Sequence, residues 1–223
     1  MNPKLKKGLI IGLSVFAVIF AALLILPFAF KGKIVKLAQE QVNAKLDAKV
    51  DFEDFSLSFI RSFPNASVRF ENLRIIGVGE FQKDTLLSSE NVDLELNLKS
   101  LFSDKGYEIR NLEFDNSRVF AHVLANGKAN WNIMKTDSTK AVDTSAMSFN
   151  MKLKNVVLDN ANIVYLDEQG KMKAEIFNLN HHTSGDFTAD SSLLKTKTTI
   201  EALNFTMDGV PYLSKANVEL NAD

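Results

Sequence analysis

The 223-residue sequence has no cysteine, four prolines, one tryptophan and three histidines, and 26 basic against 27 acidic residues leave a net charge of -1. The missing cysteines exclude disulfides, thiolate metal sites and cysteine nucleophiles, and fit a periplasmic or cell-surface location. The balanced charge leaves no basic footprint, so nucleic acid is not an expected partner. Signatures of catalysis are also missing. Gly77-Val78-Gly79-Glu80-Phe81-Gln82 breaks the dinucleotide fingerprint at its third glycine, and no GxSxG, P-loop or HExxH occurs. His181 and His182 are adjacent, so on a strand their rings point to opposite faces and do not chelate one metal. His122, between Ala121 and Val123, falls on the polar side of a strand with no evident catalytic partner. The sequence therefore assigns no catalytic, cofactor-binding or metal residues, and no cofactor and no enzyme activity are expected.

What the chain has is apolar residue, 46% of the whole, and the first concentration is Gly8 to Phe30, which carries no charge. At ~1.5 Å per helical residue this run reaches about 35 Å, enough to span a hydrocarbon core of ~30 Å. A cleaved signal peptide has a shorter apolar stretch and small residues at its cleavage site, whereas this run ends in Pro27-Phe28-Ala29-Phe30. It reads as a single-pass transmembrane anchor. Lysines flank both ends almost equally, and a seven-residue tail before a large domain fits a cytoplasmic N-terminus with the bulk of the chain outside.

Residues 33–48 place Ile34, Leu37, Ala38, Val42 and Leu46 near one face of a short amphipathic helix, packed either on the following sheet or on the membrane surface. From residue 49 the period changes from 3.6 to 2. Val92-Asp93-Leu94-Glu95-Leu96-Asn97-Leu98 alternates strictly, as a half-buried strand does. Similar alternation marks strands at 50–59, 68–76, 107–114, 119–123, 149–158, 163–166, 198–206 and 218–220. The expected fold is mainly β: a curled, antiparallel, meandering sheet with a hydrophobic inner face. Phe63-Pro64-Asn65-Ala66 and the glycines at 127, 170 and 185 mark reversals, and Lys135 to Ser148 reads as an exposed loop. The alternating pattern is still running at Asp223, where continuation into a longer chain is expected.

A near-repeat stands out. Arg110-Asn111-Leu112-Glu113-Phe114-Asp115-Asn116-Ser117-Arg118-Val119 returns as Lys154-Asn155-Val156-Val157-Leu158-Asp159-Asn160-Ala161-Asn162-Ile163. Repeated strand units bury apolar faces against their neighbours, which points to a continuous surface and not to one catalytic cluster. Alternation slips by one residue at Glu71-Asn72, Arg110-Asn111 and Lys154-Asn155. Each slip is either a β-bulge that bends the strand or a join between two shorter strands. Asp115-Asn116 and Asp159-Asn160 read as turns closing the first strand of each unit; as Ca²⁺ ligands they lack the spaced run of oxygen donors. Trp131, after the Gly127 turn, reads as a core residue in preference to an aromatic anchor.

The apolar face is either covered in a closed core or left as a trough. In a trough each acyl methylene buried contributes about 0.8 kcal/mol, so lipid binds without specific polar contacts. Periodicity alone makes Val92, Leu94, Leu96 and Leu98 the candidate lipid-facing residues.

The lysine-bearing tail, the membrane helix, the amphipathic segment, Ser62-Phe63-Pro64, the Val92 to Leu98 strand running into Ser100-Leu101-Phe102, and Gly127 to Trp131 occur in an order that resembles the N-terminal region of the AsmA family. There a "dGxxNW" element follows a strand set of this kind; here Asn126 stands where an aspartate often precedes the glycine, a change a turn tolerates. The resemblance implies a bacterial inner-membrane protein with a periplasmic β-rich domain over 49–223. It also implies kinship with bridge-like lipid transfer proteins and a part in outer-membrane biogenesis, and it brings no catalytic residues. The implied partner is phospholipid or another envelope lipid. The alternative is an anchored scaffold contacting outer-membrane assembly proteins through strand edges, and the third reading is an unrecognised envelope enzyme.

Overall fold

The computed structural model describes residues 12–15, 32, 39–40, 43–44, 46–58, 62, 65–97, 108–135, 154–185 and 194–222. The expected transmembrane segment lies outside them apart from 12–15, which are helical. Among the described residues no helix is long and apolar enough to cross a membrane. Of the expected amphipathic helix, residues 39–40 and 43–44 are helical. Its predicted end is corrected, because Ala48 already belongs to a strand and Asn43 Oδ1 accepts a hydrogen bond from Val50 N at 2.7 Å. Most of the 135–148 loop, and Leu98, also lie outside the described residues.

The strands of the described residues form one sheet. Its strands are β1 (Ala48–Asp51), β2 (Asp54–Ser58), β3 (Asn65–Gly77), β4 (Thr85–Asn97), β5 (Ile109–Asp115), β6 (Arg118–Val123), β7 (Asn155–Asp167), β8 (Met172–Ser184), β9 (Lys195–Met207) and β10 (Val210–Ala222). The pairs β1/β2 and β5/β6 each occupy one lateral position as a broken strand, because β3 pairs with both members of the first and β7 with both of the second. The order is then β1/β2, β3, β4, β5/β6, β7, β8, β9, β10. Alternating β-branched and aromatic residues suit a pleated, half-buried surface. The two-residue reversal Asp208-Gly209, with φ of 49° and 77°, joins β9 to β10 with the backbone a primed turn needs.

Two expectations are corrected. The sheet is mixed, not antiparallel: β5 and β6 both pair with β7 in parallel. The pairing sets the near-repeats side by side in exact register, Asn111 on Asn155 through Asp115 on Asp159 and Arg118 on Asn162 through Val123 on Asp167. The repeated units are thus neighbours, joined by Asn155 Nδ2 donating to Asn111 Oδ1 at 2.9 Å and Asn160 Nδ2 to Asn116 Oδ1 at 2.6 Å.

Secondly, Asp115-Asn116 and Asp159-Asn160 do not reverse the chain. Asn116 and Asn160 adopt φ of 49° and 51°, the left-handed region, yet β5 runs on into β6 and β7 continues for 13 residues. Asparagine visits that conformation more readily than most residues that carry a Cβ, and here both amides bond across to neighbouring strands, so the strand bends and goes on. Asn72, Asn178 and Lys215 share the same backbone on β3, β8 and β10, and the break between β1 and β2 falls beside Asn72. A kink line therefore crosses the sheet. Of the three sequence slips, Asn72 lies on it, Arg110 is a separate bulge where the β4–β5 register shifts, and Lys154 precedes the start of β7.

Candidate binding face

Small side chains line the kink: Ser89, Ser117 and Ala161 are each buried to 3% exposure or less. Ser89 Oγ sits 2.7 Å from Asn91 O and 2.8 Å from Asp115 O. The left-handed asparagines and their neighbours carry a polar chain. Asn72 Nδ2 donates to Glu53 at 2.6 Å, Asn116 Nδ2 to Glu90 at 2.7 Å, and Asn178 Nδ2 to Glu201. An open cleft of about 810 Å³ follows this line, lined among others by Glu53, Asn72, Arg74, Glu90, Asn116 and Arg118. None of the sequence-predicted site residues lies in it.

Val92, Leu94 and Leu96 sit beyond the kink on β4. Cross-strand partners share a face, and one row runs Phe55, Phe70, Val92, Phe114, Leu158. A second runs Leu57, Val68, Leu94, Leu112, Val156, and Leu96 joins Ala66 and Ile109 in a third. Val92 is buried; Leu94 and Leu96 are half-buried, as are Phe70, Leu112, Phe114, Val156 and Leu158. All ten strands belong to one sheet, so among the described residues no second sheet covers these rows.

The face changes character at β8. The first row continues into His181 and Thr198, the second into Thr183 and Thr196. Their side chains bond in sequence: Thr198 Oγ1 lies 2.8 Å from His181 Nδ1, His181 Nε2 lies 2.8 Å from Thr183 Oγ1, and Thr183 Oγ1 lies 3.0 Å from Thr196 Oγ1. His182, paired with Val157 and Lys197, falls on the other face, as its adjacency to His181 requires.

That other face is charged. Arg69 grips Asp93 with two of its three guanidinium nitrogens, at 2.8 Å from Nε to Oδ1 and from Nη2 to Oδ2, and this hydrogen bonding raises the guanidinium pKa despite partial burial. Glu113 extends the same row.

The third histidine is a structural centre. His122, for which the sequence offers no evident catalytic partner, is buried with Nδ1 2.8 Å from Asp84 and Nε2 3.3 Å from Glu168, and it touches the rings of Phe81 and Phe120. Burial lowers its pKa, but the two carboxylates outweigh burial and raise it above 6.5. Asp84 and Glu168 are 38 and 46 residues away in sequence, too far for any local signal to have joined them. Asn130 completes the end of β6: its amide receives His122 N–H at 3.0 Å and donates to Phe120 O at 2.7 Å. Gly127 takes φ of 81°, and Asn126 Oδ1 accepts from Lys128 N at 3.0 Å, the bond an aspartate would make there. Trp131 is not a core residue. It is 42% exposed and lies over Tyr165 with ring centroids 6.2 Å apart.

Among the described residues no group of three or more potential ligands converges on a metal position. The family model described as AsmA family matches residues 3–219 of this chain. No curated protein matches it.

Proposed function

Because the chain belongs to the AsmA family, we propose that it is an inner-membrane-anchored periplasmic protein of outer-membrane biogenesis, which binds or conducts phospholipid acyl chains along its apolar sheet face. In this reading Gly8 to Phe30 holds the chain in the membrane, and the sheet is the working part. It has no catalytic step. The observation that carries the reading is the pair of apolar rows from Phe55 to Leu158 and Leu57 to Val156, buried at Phe55, Val68 and Val92 and half-buried elsewhere, which have no covering sheet among the described residues. A sheet with one apolar face must cover it with something, and an acyl chain supplies apolar contact without hydrogen-bonding demands.

The test is lipid content. Full-length protein purified in mild detergent is extracted and its phospholipid counted per chain by mass spectrometry, for wild type, Leu94→Glu and the opposite-face control Glu113→Gln. Leu94 sits between Val68 and Leu112, where a carboxylate opposes acyl contact. Bound phospholipid falls several-fold in Leu94→Glu and holds in the control; lipid-free wild-type protein would defeat the proposal. The scaffold alternative draws on β10, whose outer edge pairs with no strand among the described residues, and it expects indifference to Leu94→Glu.

A further inference from the structure

We infer that the sheet face holds a glycerophospholipid crosswise, its acyl chain over β2 to β7 and its polar end, glycerol ester or phosphate, on the His181-Thr183-Thr196-Thr198 cluster of β8 and β9. This rests on the lipid-binding reading above and adds orientation and a polar-end site to it.

The first ground is length. From Phe55 to Leu158 the apolar row crosses β2, β3, β4, β5 and β7, four inter-strand spacings of ~4.8 Å or about 19 Å. One leaflet of a ~30 Å hydrocarbon core is about 15 Å thick, so the row accommodates the acyl chain of a membrane lipid laid across the strands. The second ground is the change of chemistry on one continuous face. Both apolar rows switch to hydroxyl and imidazole at the same strand, as an amphiphile does where its chain meets its ester linkages.

The third ground is a count of protons. The cluster holds three threonine O–H groups and at least one imidazole N–H, and three hydrogen bonds join its members. Each bond uses one proton, so at least four donor protons against three bonds leave at least one over. A leftover donor wants an external acceptor, and an ester carbonyl or a phosphate oxygen supplies one. Thr183 is 6% exposed, which fixes the middle of the chain, while Thr196 and Thr198 at its two ends are half-buried. The lysines of β9, Lys195 and Lys197, alternate with these threonines and are exposed. The polar end is therefore met by hydroxyl and imidazole donors and not by these lysines.

Two photoreactive phosphatidylethanolamines test this on the full-length protein in lipid nanodiscs. One carries a diazirine on its head-group amine and the other near the tip of one acyl chain. Head-group label is expected within residues 172–207 and acyl-tip label within 54–97. In Thr183→Val/Thr198→Val, which preserves side-chain shape, head-group labelling of 172–207 drops several-fold while acyl-tip labelling stays within about twofold. Head-group label concentrated on β2 to β4, equal labelling by both probes everywhere, or head-group labelling unchanged in the variant overturns the crosswise orientation and leaves the lipid-binding reading standing. Absence of label from both probes overturns both. Thermal melting of the variant separates loss of a donor from loss of the fold: a variant that melts as wild type with unchanged head-group label counts against the site. If it unfolds, Thr198→Val alone, at the half-buried end of the cluster, provides the same readout.

Discussion

Replacing Asn160 tests whether the kink line is a built feature with its own energetics. Asn160 holds φ of 51° and donates to Asn116 across the parallel seam at 2.6 Å. Asn160→Val loses that hydrogen bond, about 1 kcal/mol net, and forces a β-branched residue into the left-handed region, which costs roughly 1–2 kcal/mol more. The sum is about 2–3 kcal/mol. Asn160→Gly loses the same bond but has no steric quarrel with the backbone, so its cost stays near 1 kcal/mol or below. For a chain of this size a kcal/mol moves the melting temperature by about 2–4 °C, giving a drop of roughly 4–12 °C for valine and no more than about 4 °C for glycine. The assay is thermal unfolding of the full-length protein followed by fluorescence. Trp131 is the only tryptophan and rests on Tyr165 of the same strand as Asn160, so its emission reports β7 directly. If valine is tolerated as well as glycine, or glycine is the worse of the two, the kink does not depend on left-handed asparagine and the reasoning fails. Adding Asn116→Ala to Asn160→Ala should show coupling of about 0.5–1 kcal/mol, since the two amides are in contact.

Two further outcomes follow from the end of β6. The folded pKa of His122 lies above its unfolded value near 6.5, so the stability it contributes is complete below about 6.5 and is lost as pH rises through the folded-state pKa. Melting curves should fall more steeply with rising pH for wild type than for His122→Gln, and parallel curves would remove the histidine from the account. Asn130→Ala strands His122 N–H and Phe120 O at a site 2% exposed. It should cost about 2–4 kcal/mol, seen as a melting point roughly 4–16 °C lower, with Asn130→Asp milder because it keeps the acceptor.

Period-2 alternation made the strand content legible, and the face of Val92, Leu94 and Leu96 follows from it alone. The β8 strand escaped notice. Met172–Ser184 mixes Lys173, Glu175, Asn178, Asn180, His181 and His182 into its run, so no clean alternation announces it, and neighbours on both sides decide its conformation. The asparagines were conspicuous, yet Asn116 and Asn160 favour the same backbone in a reversal as in a bent strand. Only a partner strand with its own asparagine at the matching position distinguishes the two. The same holds for parallel pairing, which two similar segments permit and do not demand. The Asp84-His122-Glu168 cluster depends on a chain path no local pattern encodes. Trp131 was misjudged because a lone tryptophan after a hairpin usually seeks the interior, whereas here the sheet has one layer and Tyr165 offers only a platform.

The parallel seam also sets an order of assembly. The strands β3 and β4, and likewise β7, β8, β9 and β10, pair with sequence neighbours, so each meander forms from contacts closer in sequence than those of the seam. The seam joins residues 44 apart, and its loop must close before any of its hydrogen bonds are made. Synthesis delivers β1 to β6 first, and the edge of β5 and β6 has no partner until β7 is made. That edge waits for β7, and a strand from elsewhere with asparagines at the matching positions would find the same template. The most exposed moment of this protein's life is then the interval between the emergence of Val123 and of Asp167, when the sheet is half made and its next strand has not yet arrived.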